Sequence, residues 1–210
     1  MNSDQAPIRI LTVDDHRLIR QGIAGLVAVE SDMRVVAEAA NGREALQQFR
    51  AYRPDITLMD LQMPEMNGLD AISAIRGEYP EARIIVLTTY SGDVQALRAL
   101  RAGARAYLLK DALDKELLDA IRAVHAGRKA VSPEVSFQLA EHATDDALTP
   151  GEVCVLRLIA EGRANKEIAA SLSTSDATVK GQVQSILSKL GATDRTNAAM
   201  IGLKRGIIDL

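Results

Sequence analysis

The sequence predicts two folds in one chain: an α/β domain built on a five-stranded, doubly wound parallel sheet, then a small all-α domain of four helices. Three observations carry this. Apolar runs of strand length alternate strictly with helical patterns through the first two-thirds of the 210 residues. From Leu148 onward only helical periodicity remains. Between these parts, Glu141 to Ala147 is polar and has no apolar stripe, which suits a linker.

The strand-length runs are Ile8 to Val13, Val35 to Ala39, Ile56 to Met59, Ile84 to Leu87 and Ala106 to Leu109. They are nearly continuous in Ile, Val and Leu, the pattern of strands buried on both faces. Five helical patterns follow them. They are marked by Leu18, Ile23, Leu26 and Val27; by Ala45, Leu46 and Phe49; by Leu69, Ile72 and Ile75; by Val94, Leu97 and Leu100; and by Leu117, Leu118, Ile121 and Val124. Strict strand–helix alternation requires crossovers, hence a parallel sheet with helices on both faces. Asn41-Gly42, Arg53-Pro54, Asn67-Gly68, Tyr79-Pro80, Gly103 and Gly127 punctuate the joints. The expected division is 1–128 for the α/β domain, 129–147 for the linker and 148–210 for the helical domain, with Ser132-Pro133 starting a short helix through Leu139.

In the helical part, Thr149-Pro150-Gly151-Glu152 reads as a capping box with proline at the first helical position. Asn165 is expected to cap a second helix through Leu172. Ser175 or Asp176 caps a third, ended by Gly191, and Asp194 caps a fourth, ended by Gly206.

Composition excludes several classes. Hydrophobic residues make up 47% and charged residues 25%, so a packed globular protein is expected. Aromatics are only 3%, with no Trp, which argues against an aromatic-lined pocket for a large ligand. The lone Cys154 forms no internal disulfide, and its apolar stretch suggests a buried, inert thiol. Neither a signal peptide nor an apolar run of membrane-spanning length is evident, so a cytoplasmic protein is expected. Charge is uneven. From Pro150 onward there are 8 Lys+Arg against 6 Asp+Glu, net +2, while the rest carries 17 against 22, net -5. The two parts are expected to have different partners.

Ligands of open parallel sheets bind outside the carboxyl ends of the strands. Asp14, Asp15, Asp60, Thr88 and Lys110 all fall at such ends. Converging carboxylates repel, by about 4 kcal/mol for a pair about 4 Å apart at an effective dielectric near 20. A divalent cation removes that cost, and an oxygen-only ligand set favours magnesium. Any one of these residues alone is read more simply as a helix cap. The five together are not.

Asp14-Asp15, Met59-Asp60-Leu61-Gln62-Met63-Pro64, Asn67-Gly68, Thr88, and Lys110 after Tyr107-Leu108-Leu109 together resemble the receiver domain of response regulators, a flavodoxin-like fold, over Ile8 to about Ala126. The resemblance implies that Asp60 accepts a phosphoryl group from a sensor histidine kinase. It implies magnesium held by Asp15, Asp60 and the Gln62 backbone carbonyl, with Asp14 acting through water. Lys110 would pair with phosphoryl oxygens, Thr88 would donate its hydroxyl to them, and Tyr107 would turn inward as a switch. Such a domain is a phosphoacceptor with at most self-directed phosphotransfer and autodephosphorylation, rather than an enzyme acting on other substrates. A dehalogenase-like phosphatase would want an Asp where Gln62 stands, and no P-loop pattern is present.

Glu167 to Leu190 has helix-turn-helix character, with Lys166 leading its first helix. Val179, Val183, Ile186, Leu187 and Leu190 form one apolar stripe, and Lys180, Gly181, Gln184 and Ser188 a polar face suited to a major groove. Lys and Gln can read guanine and adenine. Lys166, Thr178, Lys189 and Arg195 are better placed for phosphates, and Gln182 and Ser185 are further contact candidates. Leu148-Thr149, Leu158-Ile159-Ala160-Glu161-Gly162, Asn165-Lys166-Glu167-Ile168-Ala169, Thr178-Val179-Lys180, Lys189-Leu190-Gly191 and Asp194-Arg195-Thr196 resemble the LuxR-type output domain of the NarL/FixJ subfamily. Departures fall at Gly151, Gln182 and Ser185, where that subfamily usually has Arg, often His, and commonly Asn.

Together the resemblances imply a transcriptional regulator in a two-component system. Its partners would be a sensor kinase, promoter DNA, a second copy of itself when phosphorylated, and RNA polymerase. The other reading is a phosphorylation-independent dimerisation or protein-interaction module with weak or altered DNA binding. The scattered His16, His125 and His142, the arginines Arg98, Arg101, Arg105, Arg122 and Arg128, and the pair Met63 and Met66 are expected to serve as surface or packing groups.

Overall fold

The computed structural model describes residues 6–89, 92–131, 133–142 and 147–208. The chain forms two compact units, Met1–Thr89 with Ala96–Val135, and Tyr90–Gln95 with Ser136–Leu210. Element order as far as residue 131 is β1 (Ile8–Val13), α1 (Arg17–Ala28), β2 (Met33–Ala39), α2 (Gly42–Tyr52), β3 (Ile56–Asp60), α3 (Gly68–Glu78), β4 (Ile84–Thr88), α4 (Asp93–Arg101), β5 (Ala106–Leu109), a 3₁₀ turn (Lys110–Ala112), α5 (Leu113–His125) and β6 (Ala130–Val131).

All strand pairs are parallel, in the order β2-β1-β3-β4-β5-β6. The order reverses between β1 and β3, and a crevice forms outside the strand ends where connections leave in opposite directions. Val13 pairs with Met59 and Thr88 with Leu109, so the residues that follow β1 and β5 emerge at the same edge as the ends of β3 and β4. One sheet face buries Ile10, Leu58, Leu87 and Leu108 against Ile23 and Val27 of α1 and Leu117, Ile121 and Val124 of α5.

Among the described residues six strands are present where five were expected. The sixth pairs Ala106 with Ala130 and Tyr107 with Val131 inside the segment assigned to the linker. Two residues are too few to show periodicity, and their order depends on the neighbouring strand. Helix α6 (Pro133–Glu141) likewise extends past the expected end at Leu139. Of the polar stretch 141–147, residues 143–146 lie outside the described ones.

Four side-chain expectations change. Leu18 is exposed, and α1 packs through Ile19, Ile23, Leu26 and Val27. In α4 the buried apolar residues are Ala96 and Ala99, while Leu97 faces outward. Arg122 is no solvated charge: its guanidinium lies 2.8 Å from Asp32 and 2.6 Å from Glu30, joining α5 to the start of β2. Cys154 is exposed rather than buried, because its position falls on the outer side of a helix whose inner side is Val155, Leu156 and Ile159.

The second unit contains α6, α7 (Pro150–Ala160), α8 (Asn165–Ser171), α9 (Asp176–Leu190) and α10 (Arg195–Lys204). Its core joins Val155, Leu156 and Ile159 of α7, Ile168 of α8, Val179 and Ile186 of α9, and Ala198 of α10. Thr149, Ser175 and Asp194 cap as their chemistry requires, each accepting from a backbone N–H three residues on. Asn165 does not cap. It is the first residue of α8, the N-cap position belongs to Ala164, and the Glu167 carboxylate accepts from the Ala164 N–H at 2.7 Å.

Gly68 marks the tightest point of the sheet edge. Its N–H donates to the Leu61 carbonyl at 2.9 Å, and a Cβ there would lie 2.1 Å from the Asp60 carbonyl oxygen. Gly68→Ala must push the end of β3 away from α3, an overpacking cost of about 2 kcal/mol. Urea unfolding should show that loss; an unchanged midpoint would mean the edge yields freely.

Candidate functional site

Asp60 closes β3 and is buried. Its Oδ1 accepts from the Leu61 N–H at 2.8 Å, and the Gln62 backbone also hydrogen-bonds it. Asp14, one residue beyond β1, is buried too and accepts from the His16 N–H at 2.9 Å. Asp15 sits at the mouth with its side chain 31% exposed. The ammonium of Lys110, first residue of the 3₁₀ turn after β5, lies 2.7 Å from Asp14 Oδ2 and 3.0 Å from Asp60 Oδ2. Thr88 and Tyr107 are buried beside this edge and hydrogen-bonded to each other. Tyr107 is thus directed inward, with its ring fully buried.

Electrostatics follow from this burial. Desolvation pushes the Asp60 carboxyl above its ordinary value, only partly opposed by Lys110, and the Asp14 charge adds to the rise. Burial disfavours the Lys110 ammonium, but bonds to Asp14 and Asp60 outweigh it and raise its pKa. Burial also raises the Tyr107 phenol. The Lys110 ammonium carries one positive charge between two buried carboxylates, so the pocket is electron-rich and calls for further positive charge.

Ligand atoms of Asp14, Asp15, His16 and Asp60 lie within 4.8 Å of one another, a set that could hold a metal ion. The three carboxylates suit a hard cation. His16 was not expected here. Its Nδ1 stands 2.8 Å from Asp15 Oδ1 and 3.3 Å from Asp14 Oδ1. The available signal was its place directly after Asp14-Asp15, in the loop that turns into α1.

The second candidate surface is α9, entered through a turn in which Ser173 takes a left-handed φ of 51°. Thr178, Lys180, Gly181, Gln184 and Ser188 are exposed along it, and Lys166 is exposed on α8. Lys180 pairs with Asp176 at 2.9 Å, one helical turn back. Gln182 is half-buried. Arg195 donates to the Arg163 carbonyl.

Two expected contact residues turn inward instead. Ser185 donates to Glu152 Oε1 at 2.6 Å, and Lys189 Nζ lies 2.9 Å from Glu152 Oε2. Glu152 also accepts from the Thr149 N–H at 2.7 Å. Burial alone would raise this carboxyl; the bonds from Ser185, Lys189 and Thr149 instead hold it down at about 2. One carboxylate thus closes the capping box of α7 and ties α7 to the second half of α9. Sequence reasoning saw only the box, because the tie depends on how two helices pack.

The comparisons agree with this architecture. Residues 10–122 match the family described as "Response regulator receiver domain", and 146–201 match "Bacterial regulatory proteins, luxR family". The chain is 41% identical over 206 residues to the uncharacterized transcriptional regulatory protein YhcZ of Bacillus subtilis (strain 168), covering 94% of this chain and 96% of that one. It is 37% identical over 206 residues to the response regulator protein VraR of Staphylococcus aureus, covering 96% and 99%. Among solved structures, RcsB from Salmonella enterica serovar Typhimurium, bound to promoter P1flhDC in the presence of the phosphomimetic BeF3-, superposes with a TM-score of 0.74 at 28% identity, covering 95% of this chain and 98% of that one.

Because the Glu152 pKa is about 2 when folded against an ordinary 4.5, its stabilisation is present above pH 4.5 and is lost as pH falls toward 2. Glu152→Gln should cost roughly 2–3 kcal/mol at neutral pH, with the deficit falling to roughly half by about pH 3. Urea titrations at both pH values test this, and a deficit independent of pH would show that the charge is not what matters.

Paired acidic strand ends with a bridging lysine, a helix-turn-helix unit and full-length relatives of the same two-part build lead to one assignment: the chain belongs to the response regulators with a LuxR-type DNA-binding domain, the NarL/FixJ subfamily of two-component transcription regulators.

Proposed function

We propose that the chain is a phosphorylation-controlled transcription factor, with Asp60 as phosphoacceptor, a sensor histidine kinase as donor and promoter DNA as target. The observation that carries this reading is the Lys110 ammonium between Asp14 and Asp60 at the topological switch of the sheet. A phosphoryl group on Asp60 would place up to two negative charges beside a cation already in position. Lys110 would leave its carboxylate partners for the phosphoryl oxygens. The Thr88 hydroxyl, beside Tyr107, would supply a further donor. Charge developing on equatorial oxygens is stabilised by such fixed groups, so the site needs little covalent machinery.

Magnesium fits the pocket, since Asp14, Asp15 and Asp60 give hard oxygen donors with one ammonium among three carboxylates. Asp15, Asp60 and the Gln62 carbonyl would hold it, with Asp14 acting through water. When bound it supplies charge neutralisation for phosphoryl transfer. The domain would turn over no external substrate, acting only on its own Asp60 and its own phosphate.

Downstream, phosphorylation would favour a homodimer on inverted half-sites about one helical turn apart. The 63% exposed Met200 on α10 supports a dimer contact on that helix. Lys166, Thr178 and Arg195 would engage phosphates, with Lys180, Gly181, Gln182 and Gln184 facing bases. RNA polymerase is the expected further partner and the cytoplasm the expected location. No described helix is long and apolar enough to cross a membrane.

One observation favours the second reading, a phosphorylation-independent dimerisation or protein-interaction module with weak DNA binding. Ser185 and Lys189 are engaged by Glu152, leaving fewer groups for DNA. Both readings are separated by Asp60→Asn. Acetyl phosphate with magnesium should add one phosphoryl mass to the wild type and tighten its DNA binding by about tenfold, a coupling of about 1.4 kcal/mol. Asp60→Asn should show neither effect. A variant that still gains the mass would move the acceptor elsewhere, and tight binding without phosphate would support the second reading.

A further inference from the structure

Three described glycines lie within helices of the second unit, and two have structural explanations. Gly202 in α10 is packed so closely that a Cβ would lie 2.8 Å from Leu156 and 3.2 Å from Ile208. Gly151 stands in the first turn of α7, where helix propensity counts for little, and a Cβ there would lie 3.4 Å from the Gln182 side chain. Gly181 is different. It occupies the interior of the fifteen-residue α9, it is exposed, and a Cβ there would meet nothing within 4 Å. Its φ is not in the left-handed range that required glycine at Gly191, where φ is 60°. Neither backbone geometry nor packing asks for glycine at 181, yet an interior helical glycine is destabilising relative to alanine.

The face around it defines what the gap can do. Ala177, one turn before, is short and exposed; Lys180 and Gln184 are long and exposed on either side. Two reaching polar side chains therefore flank a shallow apolar floor of Cα–H and methyl groups. In a major groove, Lys can reach guanine acceptors and Gln can pair with adenine. The base-edge group that matches an apolar floor between them is the 5-methyl of thymine, which needs close approach and no hydrogen bond.

We infer that Gly181 is a specificity-determining position: its missing side chain lets α9 approach the groove floor and seats a thymine methyl beside the Gln184 contact. The inference rests on the DNA-binding reading above. The destabilisation at Gly181 is offset in the DNA complex and not in the free fold.

The test uses the full chain, activated with magnesium and beryllofluoride. Wild type and Gly181→Ala are each used to select from a random-sequence duplex pool, and their melting temperatures are compared. Gly181→Ala should melt higher, by about 5 °C for a helix-propensity gain in a unit of this size. It should bind the wild-type motif at least about tenfold more weakly, since a clash at a base edge costs what a mismatch does. Replacing one thymine per half-site by deoxyuridine should weaken wild type by about fourfold, the value of one buried methyl group, and should leave Gly181→Ala unaffected. The inference is overturned if Gly181→Ala selects the same motif with affinity within about twofold, or if every thymine can be replaced without effect. If wild type selects no motif, the DNA-reading function fails and this inference with it. A failure confined to the variant or to deoxyuridine overturns this inference alone.

Discussion

The first unit depends on how three carboxylates are kept together at one edge of a parallel sheet. Asp14 and Asp60 are buried, and their strands are neighbours, so repulsion between them acts through a medium that screens poorly. Lys110 resolves this by standing within 3.0 Å of both. The arrangement needs the end of β5 to lie beside β4, and β4 beside β3, so the whole sheet order serves this one ammonium. It also leaves Asp60 hard to ionise and the pocket short of positive charge. A site with those two properties suits a cation, and under the proposed function it would answer an added phosphoryl group. Tyr107, buried and hydrogen-bonded to Thr88, links the edge of this site to the packing of β4 and β5.

The second unit solves a different problem with one carboxylate. Glu152 completes a helix cap and fixes the orientation of α9 through Ser185 and Lys189. Its cost is that two polar groups of α9 face the protein. The exposed Thr178, Lys180, Gly181 and Gln184 in the first part of the helix are left to meet a ligand. The division follows from helical geometry, because residues 185 and 189 are one turn apart on the side facing α7.

Much of this was legible in the residues. Strand and helix periodicity placed β1 to β5 and all five crossover helices, because buried parallel strands are continuous in Ile, Val and Leu. The pocket was legible because its members are polar residues at the ends of such runs. What escaped were features created by packing. A two-residue β6 has no period of its own. Leu18 is apolar at a helical spacing yet faces outward, since the stripe is completed by Ile19 instead. Cys154 lies in an apolar run but one position off its buried face. His16 joins the acid cluster through a loop conformation that no spacing rule encodes. Ser185 and Lys189 looked like groove contacts because the partner that claims them sits more than thirty residues earlier in the chain.

The most direct measurement is the response of the full chain to magnesium and beryllofluoride, followed by light scattering for mass and by fluorescence anisotropy on the promoter region of its own gene. The account predicts a shift from monomer to dimer with tighter DNA binding, both needing magnesium and both absent when Asp60 is replaced by Asn. Unchanged mass and unchanged DNA affinity would contradict it, since a pocket poised for a phosphoryl group would then be coupled to nothing.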